Sequence, residues 1–330
     1  MTLSDGSLRE TDEHAGRMIA VIGNGIIGHG IAEVFAGGGW RVRLIGRSRQ
    51  SLDAALAKIE ASLRMFETHG LVTEAQRERA LGSIETTTRL EDADRADLVI
   101  EAVPEDMALK REIFGRLETI CRPGTILASS SGHLVSELVD HVRKRDRVVA
   151  THFWYPPQLI PLVEVCGGPE TAPDLIVRMC QILRDVGKEP VVIDKEIPGF
   201  IGNRIQFAAL REAWALWAAG VASATAIDAV VRNSIGRRLG ITGPLESADV
   251  GGLDTMVSFA RFLQPDLDAA PLPPPAIAGL VDNGKRGLPS GEGVYDWSRR
   301  DGGALLDARR EELIRWLKVD RARRDKSGHS

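Results

Sequence analysis

The sequence predicts an α/β fold: a doubly wound sheet with helices on both faces, followed by an all-α C-terminal domain. Three observations carry this expectation. Through the first half, short apolar runs alternate with longer helical patterns, the rhythm of βαβ units and a parallel sheet. The first apolar run enters a glycine-rich turn, Gly23-Asn-Gly25-Ile26-Ile27-Gly28, and a helical pattern leaves it. After Ile197 the strand patterns stop, and only helical patterns follow the Pro198-Gly199 break.

In chain order, apolar runs predict strands at 18–22, 42–45, 98–103, 125–128, 148–153, 162–165 and 191–193. Helical periodicity predicts helices at 26–36, 51–67, 107–120, 134–141 and 174–186. Beyond the break, Asn203, Phe207, Leu210, Trp214 and Trp217 recur at steps of three and four, the stripe of a helix with a core face. Pro-rich residues 271–275 interrupt the helical region, and 303–330 read as one charged helix with a frayed end. The expected organisation is a polar tail at 1–16, a sheet domain at 17–197 and a helical domain at 198–330.

Composition narrows the function. Forty-two Lys and Arg against 46 Asp and Glu give a formal charge of −4, which offers no field for nucleic acid or an anionic membrane. No apolar run approaches the ~18 residues of a membrane span, and the polar N-terminus carries no signal-peptide pattern. Cys121, Cys166 and Cys180 are widely spaced, without metal-ligand spacing, and read as reduced thiols of a cytoplasmic protein. No metal is expected.

The glycine turn has the strand-before, helix-after context of a Rossmann-type dinucleotide site. Gly23 permits the tight turn, Gly25 lets backbone approach a pyrophosphate, and Gly28 allows close helix–strand packing. Ile26 and Ile27 lead into a helix N-terminus that offers amides to the phosphates. NAD enzymes usually place an acid about 20 residues beyond, at the end of the second strand, to bond the ribose 2′-OH. Here that strand ends in Gly46-Arg47-Ser48-Arg49, with no acid. Arg47 and Arg49 can pair with a 2′-phosphate and Ser48 can donate to it, so NADP is favoured over NAD.

Oxidising a secondary alcohol requires a base for the hydroxyl proton, and a histidine has the matching pKa. His152 ends an apolar strand, where open α/β sheets bind ligands. Glu164 lies on the next apolar run. If the two runs pair as a hairpin around Gln158, the residues face each other with Cβ atoms ~4.5–5.5 Å apart. The carboxylate could then fix the imidazole tautomer. Pro156, Pro157 and Pro161 suit the connecting loop. Ser131 is open to a turn or capping role as well as a site role, and Asn203 to a helix-start role.

Together these segments resemble the 3-hydroxyacyl-CoA dehydrogenase family, and are most similar to its lambda-crystallin (L-gulonate 3-dehydrogenase) branch. The matching residues are the glycine turn, Glu101-Ala-Val-Pro-Glu105-Asp with Lys110, the Ser-Ser-Gly132 turn, and His152 through Ile160-Pro-Leu-Val-Glu164. Gly199-Phe-Ile-Gly-Asn203-Arg204, Gly243-Pro-Leu-Glu246 and Gly291-Glu-Gly-Val-Tyr-Asp-Trp297 complete the match. The resemblance implies a C-terminal domain of the 6-phosphogluconate dehydrogenase C-terminal type and a homodimer formed through it. It implies that His152 is the catalytic base and Glu164 its acidic partner. It also places Ser131 and Asn203 about the substrate oxygen and the histidine, and Glu105 and Lys110 near the cofactor ribose. Two features depart from the family. Tyr155 stands where an asparagine is usual, open to donating to a substrate oxygen, stacking on cofactor or filling space. The serine turn is one residue short, which leaves the match of Ser131 against Ser130 open.

Acyl-CoA members carry a lysine-rich helix end after the second strand. Here Leu63-Arg-Met-Phe-Glu-Thr-His-Gly-Leu-Val72 holds one arginine and one glutamate. This points to a small hydroxy or keto acid without CoA. The alternatives are a true 3-hydroxyacyl-CoA dehydrogenase, or a dinucleotide-binding sensor or structural protein without turnover.

Overall fold

The computed structural model of the chain describes residues 16–327. The expected tail lies outside them except for Gly16, as do the last three residues of the expected terminal helix. The chain forms two compact units. One comprises the described residues up to Ile201 with those from Arg310 onward, and the other is Gly202–Arg309.

The first unit runs β1 (Met18–Ile22), α1 (Gly28–Gly37), β2 (Arg41–Ile45), α2 (Arg49–Thr68), α3 (Glu74–Gly82), β3 (Ile84–Thr87), β4 (Leu98–Glu101) and α4 (Met107–Ile120). It continues with β5 (Ile126–Ser129), α5 (Val135–Leu138), β6 (Val148–Phe153), β7 (Leu162–Gly167), α6 (Pro173–Asp185) and β8 (Glu189–Ile193). The strands form one eight-stranded sheet in the order β3-β2-β1-β4-β5-β6-β7-β8. The order reverses between β1 and β4, which opens a crevice at the carboxyl ends of the strands. Neighbours pair in parallel except β6 and β7, which are antiparallel. β1 is buried along its whole length. Ile19 and Val21 face one core with Ile31, Phe35 and Leu52. Ala20 and Ile22 face the other with Phe114, Leu117 and Leu127. This two-residue alternation between two apolar faces is what a sheet covered by helices on both sides requires.

Two elements escape the periodicity. β3 is a four-residue strand, Ile-Glu-Thr-Thr, with no apolar run. α3 has a poor apolar stripe, but it opens on a Thr73–Gln76 capping box, a start signal readable from sequence. Val191 and Val192 of β8 are exposed, as befits the last strand of the sheet, and Pro190 is tolerated there.

The second unit holds most of α7 (Phe200–Ala218), then α8 (Ala224–Asn233), α9 (Ile235–Arg238), α10 (Pro244–Gly251), α11 (Leu253–Leu263), α12 (Pro275–Asp282) and the start of α13 (Gly302–Ser327). The α7 stripe reads as a core face, with a homodimer as a second use for Trp214 and Trp217; within the single chain it is not a buried core face. Phe207 is 55% exposed, and Trp214 and Trp217 are only half-buried. Among residues 202–309 no apolar side chain joins the buried core. Periodicity marks a face that must be covered, but not what covers it.

Behind the crevice, the β6–β7 connection rests on α1. A Cβ at Gly30 would stand 2.8 Å from Gln158 Oε1 and 2.9 Å from Pro157 Cδ, so glycine permits the approach. Buried Lys188 donates to the carbonyls of Pro157 and Ile160. Buried Glu33 accepts from Ser62 Oγ at 2.6 Å. Burial pushes the Glu33 carboxyl from its ordinary 4.5 up to about 8, against the opposing effects of Ser62 and Lys188. It likewise pushes the Lys188 ammonium down to about 7. Between pH 4.5 and 8 the folded chain therefore holds a Glu33 proton that the unfolded chain has released, so stability falls as pH rises through that window. Lys188 has the opposite sign, but only above about pH 7. Thermal midpoints of the native chain and Glu33→Gln should therefore diverge. Native stability should fall relative to the variant from pH 5 to 7, by up to about 1.4 kcal/mol per pH unit. Parallel curves would contradict the buried, protonated carboxyl.

Candidate active site

At the crevice, the turn after β1 is shaped by its glycines. Gly23 has φ +99°, and a Cβ there would meet Ala102 O at 2.5 Å. A Cβ on Gly28 would overlap Gly23 O, whereas one on Gly25 would meet nothing within 4 Å. The middle glycine thus faces an open cradle that a side chain would fill, the shape a pyrophosphate needs. α1 begins without a side-chain cap and without an acid in its first turn, leaving its amides and dipole to an anion. His29, neutralised in tendency by burial, directs Nδ1 to Gly25 O at 2.6 Å and braces the turn. These residues fit a dinucleotide.

Gly46, Arg47, Ser48 and Arg49 follow β2 at the adjoining strand end. Arg47, Ser48 and Arg49 are exposed. Ser48 caps α2 by accepting from Ser51 N at 3.2 Å, and Arg49 Nη1 donates to Thr86 Oγ1 at 3.2 Å.

Between β4 and β5 lies a buried polar network. Lys110, without exposure, places Nζ 2.9 Å from Glu101 Oε1 and 3.2 Å from Val103 O. Ser129 donates to Glu101 Oε2 at 2.6 Å, and the Val103 amide donates to Oε1 at 2.7 Å. A buried acid with these donors is satisfied as an ion. The Lys110 ammonium is committed to the Glu101 side and lies 3.7 Å from Glu105, so its influence on a ribose would run through the half-exposed Glu105. Ser131 Oγ donates to Glu105 Oε2 at 2.6 Å and accepts from the His133 amide at 3.1 Å. His133 Nε2 stands 3.3 Å from the same carboxylate. Of the three serines, Ser129 is thus locked inside, while Ser131 sits at the strand end held by Glu105.

β6 and β7 bring the central pair together. Their register sets His152 opposite Glu164, as the 12-residue spacing predicts. Nδ1 of the imidazole lies 2.7 Å from Glu164 Oε2. Trp154 Nε1 donates to the same oxygen at 3.2 Å, and the Ile201 amide donates to Oε1 at 3.0 Å. The carboxylate, 3% exposed, is thus met on both oxygens. The His152 ring lies between Trp154 and Phe200, with centroids at 5.6 and 5.8 Å. Phe200 is buried at φ +52°, a left-handed conformation costly for an aromatic residue. That bend starts α7 and aims the Ile201 amide at Glu164. Asn203 follows in the first turn of α7, at the start of the second unit. Tyr155, just past β6, is 52% exposed and fills no core.

The sequence did not disclose His133 or Lys188 as parts of this region, and it placed Trp154 and Phe200 in matching segments without giving either a role. The available signals were the strand-end position of Trp154, two residues from His152, and the place of Phe200 between Gly199 and Asn203. The three cysteines are buried and unpaired. Burial raises the Cys121 and Cys166 thiols to about 11, so neither is a nucleophile at neutral pH. Among the described residues, no cluster of three or more metal-ligating side chains occurs and no helix is long and apolar enough to cross a membrane.

A dinucleotide cradle at the switch point, beside an imidazole aligned by a buried carboxylate, defines a nicotinamide-dependent oxidoreductase of CH–OH groups. Residues 18–197 match the NAD binding domain of 3-hydroxyacyl-CoA dehydrogenase, and residues 199–297 match its C-terminal domain. The chain belongs to the 3-hydroxyacyl-CoA dehydrogenase family. It is 32% identical over 300 residues to 5-formyl-3-hydroxy-2-methylpyridine 4-carboxylate 5-dehydrogenase of Mesorhizobium japonicum, covering 90% of this chain and 96% of that one. It is 35% identical over 244 residues to lambda-crystallin of Oryctolagus cuniculus, covering 73% and 76%. Among solved structures it is similar to a 5-formyl-3-hydroxy-2-methylpyridine 4-carboxylic acid 5-dehydrogenase described as an NAD+-dependent dismutase. That match has a TM-score of 0.85 and 30% identity, and covers 92% of this chain and 98% of that one.

Removing the Phe200 ring should unpack one side of the imidazole. Phe200→Ala is expected to lower stability by about 3–5 kcal/mol, the usual cost of emptying a buried aromatic site. Urea denaturation followed by tryptophan fluorescence measures it, and an unchanged midpoint would mean the ring is not packed as described.

Proposed function

We propose that the enzyme interconverts a small, free 3-hydroxy acid and its ketone, with His152 as acid/base, Glu164 as its partner and NADP as the favoured cofactor. The observation that carries this reading is the 2.7 Å contact between His152 Nδ1 and Glu164 Oε2. With the Nδ1 proton directed at the carboxylate, Nε2 is the basic nitrogen of the ring. Nε2 takes the hydroxyl proton during oxidation and returns it during reduction, while Glu164 stabilises the charged imidazolium. Ser131 and Asn203 are assigned to hold the substrate oxygen and the histidine. The dinucleotide, when bound, accepts or gives the hydride. The glycine turn and the amides opening α1, at Ile26, Ile27 and Gly28, would hold its pyrophosphate, with Glu105 near the ribose and Tyr155 at the substrate side.

A substrate without CoA is supported from a second direction. The stretch that is lysine-rich in acyl-CoA members is covered here by α13. Phe66 and Leu71 pack with Leu159, Ile314 and Leu317, and Arg321 donates to Leu71 O at 2.5 Å. NADP is supported by Gly46, which leaves no acid at the end of β2, and by the guanidinium groups of Arg47 and Arg49. The exposed apolar faces of the second unit, with Leu245, Phe259 and Phe262 at 82, 62 and 74% exposure, support a homodimer formed through that domain. Unpaired buried thiols accord with a cytoplasmic location.

His152→Gln should lower kcat by about 10²–10⁴-fold with cofactor affinity retained; full turnover by the variant would dismiss the imidazole as base. A panel of free hydroxy acids beside 3-hydroxybutyryl-CoA, followed by NADPH and NADH fluorescence, tests the rest. Free acids and NADP should be preferred, each by about tenfold or more, the worth of one charge-assisted hydrogen bond. Preference for the thioester would assign the enzyme to acyl-CoA chemistry, and preference for NAD would remove the 2′-phosphate assignment. Sedimentation should find a dimer, and Phe259→Asp with Phe262→Asp should yield monomer.

A further inference from the structure

The end of β2 is closed over by a residue from a different loop. A Cβ on Gly46 would stand 2.9 Å from both Cγ and Oδ1 of Asn24, and 2.8 Å from Leu52 Cδ2. Gly46 has little room to yield, because its amide is bonded to Thr87 O at 3.0 Å. Asn24 lies inside the glycine turn, directly after Gly23, so the loop that meets the pyrophosphate also lays a carboxamide on the β2 exit. In NAD-binding sheets the group at this point is a carboxylate that rises from β2 and accepts from the ribose hydroxyls. No side chain can rise from position 46 here unless Asn24 and Leu52 move aside.

What Asn24 presents is chemically different from a carboxylate. A carboxamide is neutral and carries two N–H donors, whereas a carboxylate only accepts and repels another anion. Its neighbours have the same polarity. α2 begins beside it with no acid in the first turn, Ser48 has a hydroxyl proton to give, and Arg47 and Arg49 supply charge.

We propose that Asn24 and Gly46 are a matched pair that sets cofactor choice. The Asn24 carboxamide takes the space over Gly46 that a β2 carboxylate would fill, and donates to the 2′-phosphate of an NADP-type dinucleotide. This inference rests on the NADP preference proposed above and adds a specificity-determining residue to it. Glycine at 46 then suits Asn24 as well as the buried Leu52, and reversing the preference requires changing both 24 and 46.

Fluorescence titration of NADPH and NADH tests the pair without turnover, using the native chain, Asn24→Ala, Gly46→Asp, the double variant and Arg47→Ala/Arg49→Ala, with thermal midpoints recorded to establish folding. Asn24→Ala should weaken NADPH binding about tenfold and leave NADH near its native value. Gly46→Asp alone should weaken both cofactors, because the aspartate and Asn24 compete for one space. The double variant should bind NADH about tenfold or more tightly than Gly46→Asp alone, while NADPH stays weak. The pair is overturned if Gly46→Asp alone binds NADH as well as the double variant, or if Asn24→Ala leaves NADPH affinity unchanged. The arginine variant reports separately. If it binds NADPH normally and the native chain prefers NADH, the 2′-phosphate assignment is lost, and the comparison of single with double variant still decides whether Asn24 and Gly46 compete for one space.

Discussion

A carboxylate buried inside a β-sheet must be surrounded by donors, and the architecture around Glu164 follows from that requirement. An isolated ion there would be strongly destabilising. His152 answers from the antiparallel partner strand, Trp154 from just beyond it, and Ile201 from the head of α7. Among the described strands, the one antiparallel junction is what lets two strands bring an imidazole and a carboxylate face to face. A parallel crossover would have set them apart in register. The left-handed Phe200 belongs to the same arrangement, since it turns the chain where the Ile201 amide meets Glu164. Strain at that residue is thus offset by satisfying a buried charge.

How much of this could be read beforehand depends on whether the signal is local. The glycine turn was legible because strand, turn and helix lie together in sequence. The His152–Glu164 register was legible because two short apolar runs and three prolines constrain the pairing to few possibilities. Gly46 was legible because a particular residue type is missing at a defined distance from the glycines. Donors that converge from separate elements were not. Nothing in the order of residues says that an α7 amide reaches β7, or that Lys188 ties down the carbonyls of the β6–β7 connection. β3 stayed hidden because two threonines and a glutamate make no apolar run, and the α7 stripe misled because amphipathicity is indifferent to what covers it.

The fold alone does not choose the substrate. The same sheet and cradle can serve different substrates, so the side chains around the crevice must make the choice. In this chain the β2 exit carries Gly46 and no acid, Tyr155 is exposed just past β6, and the end of α2 packs on α13. Features of this kind can vary without altering the fold, which is how one scaffold hosts several chemistries.

The route of α13 has a consequence for biosynthesis. Ile314 and Leu317, which cover Phe66, Leu71 and Leu159, leave the ribosome only after the entire second unit has been made. Until then the nascent sheet domain carries a bare greasy corner. Its closing piece is held by a chain segment that must finish its own synthesis first. A helix translated after residues 202–309 thus closes a domain begun before them, and a ribosome stalled within residues 202–309 would leave a product open to chaperones and proteases at that corner.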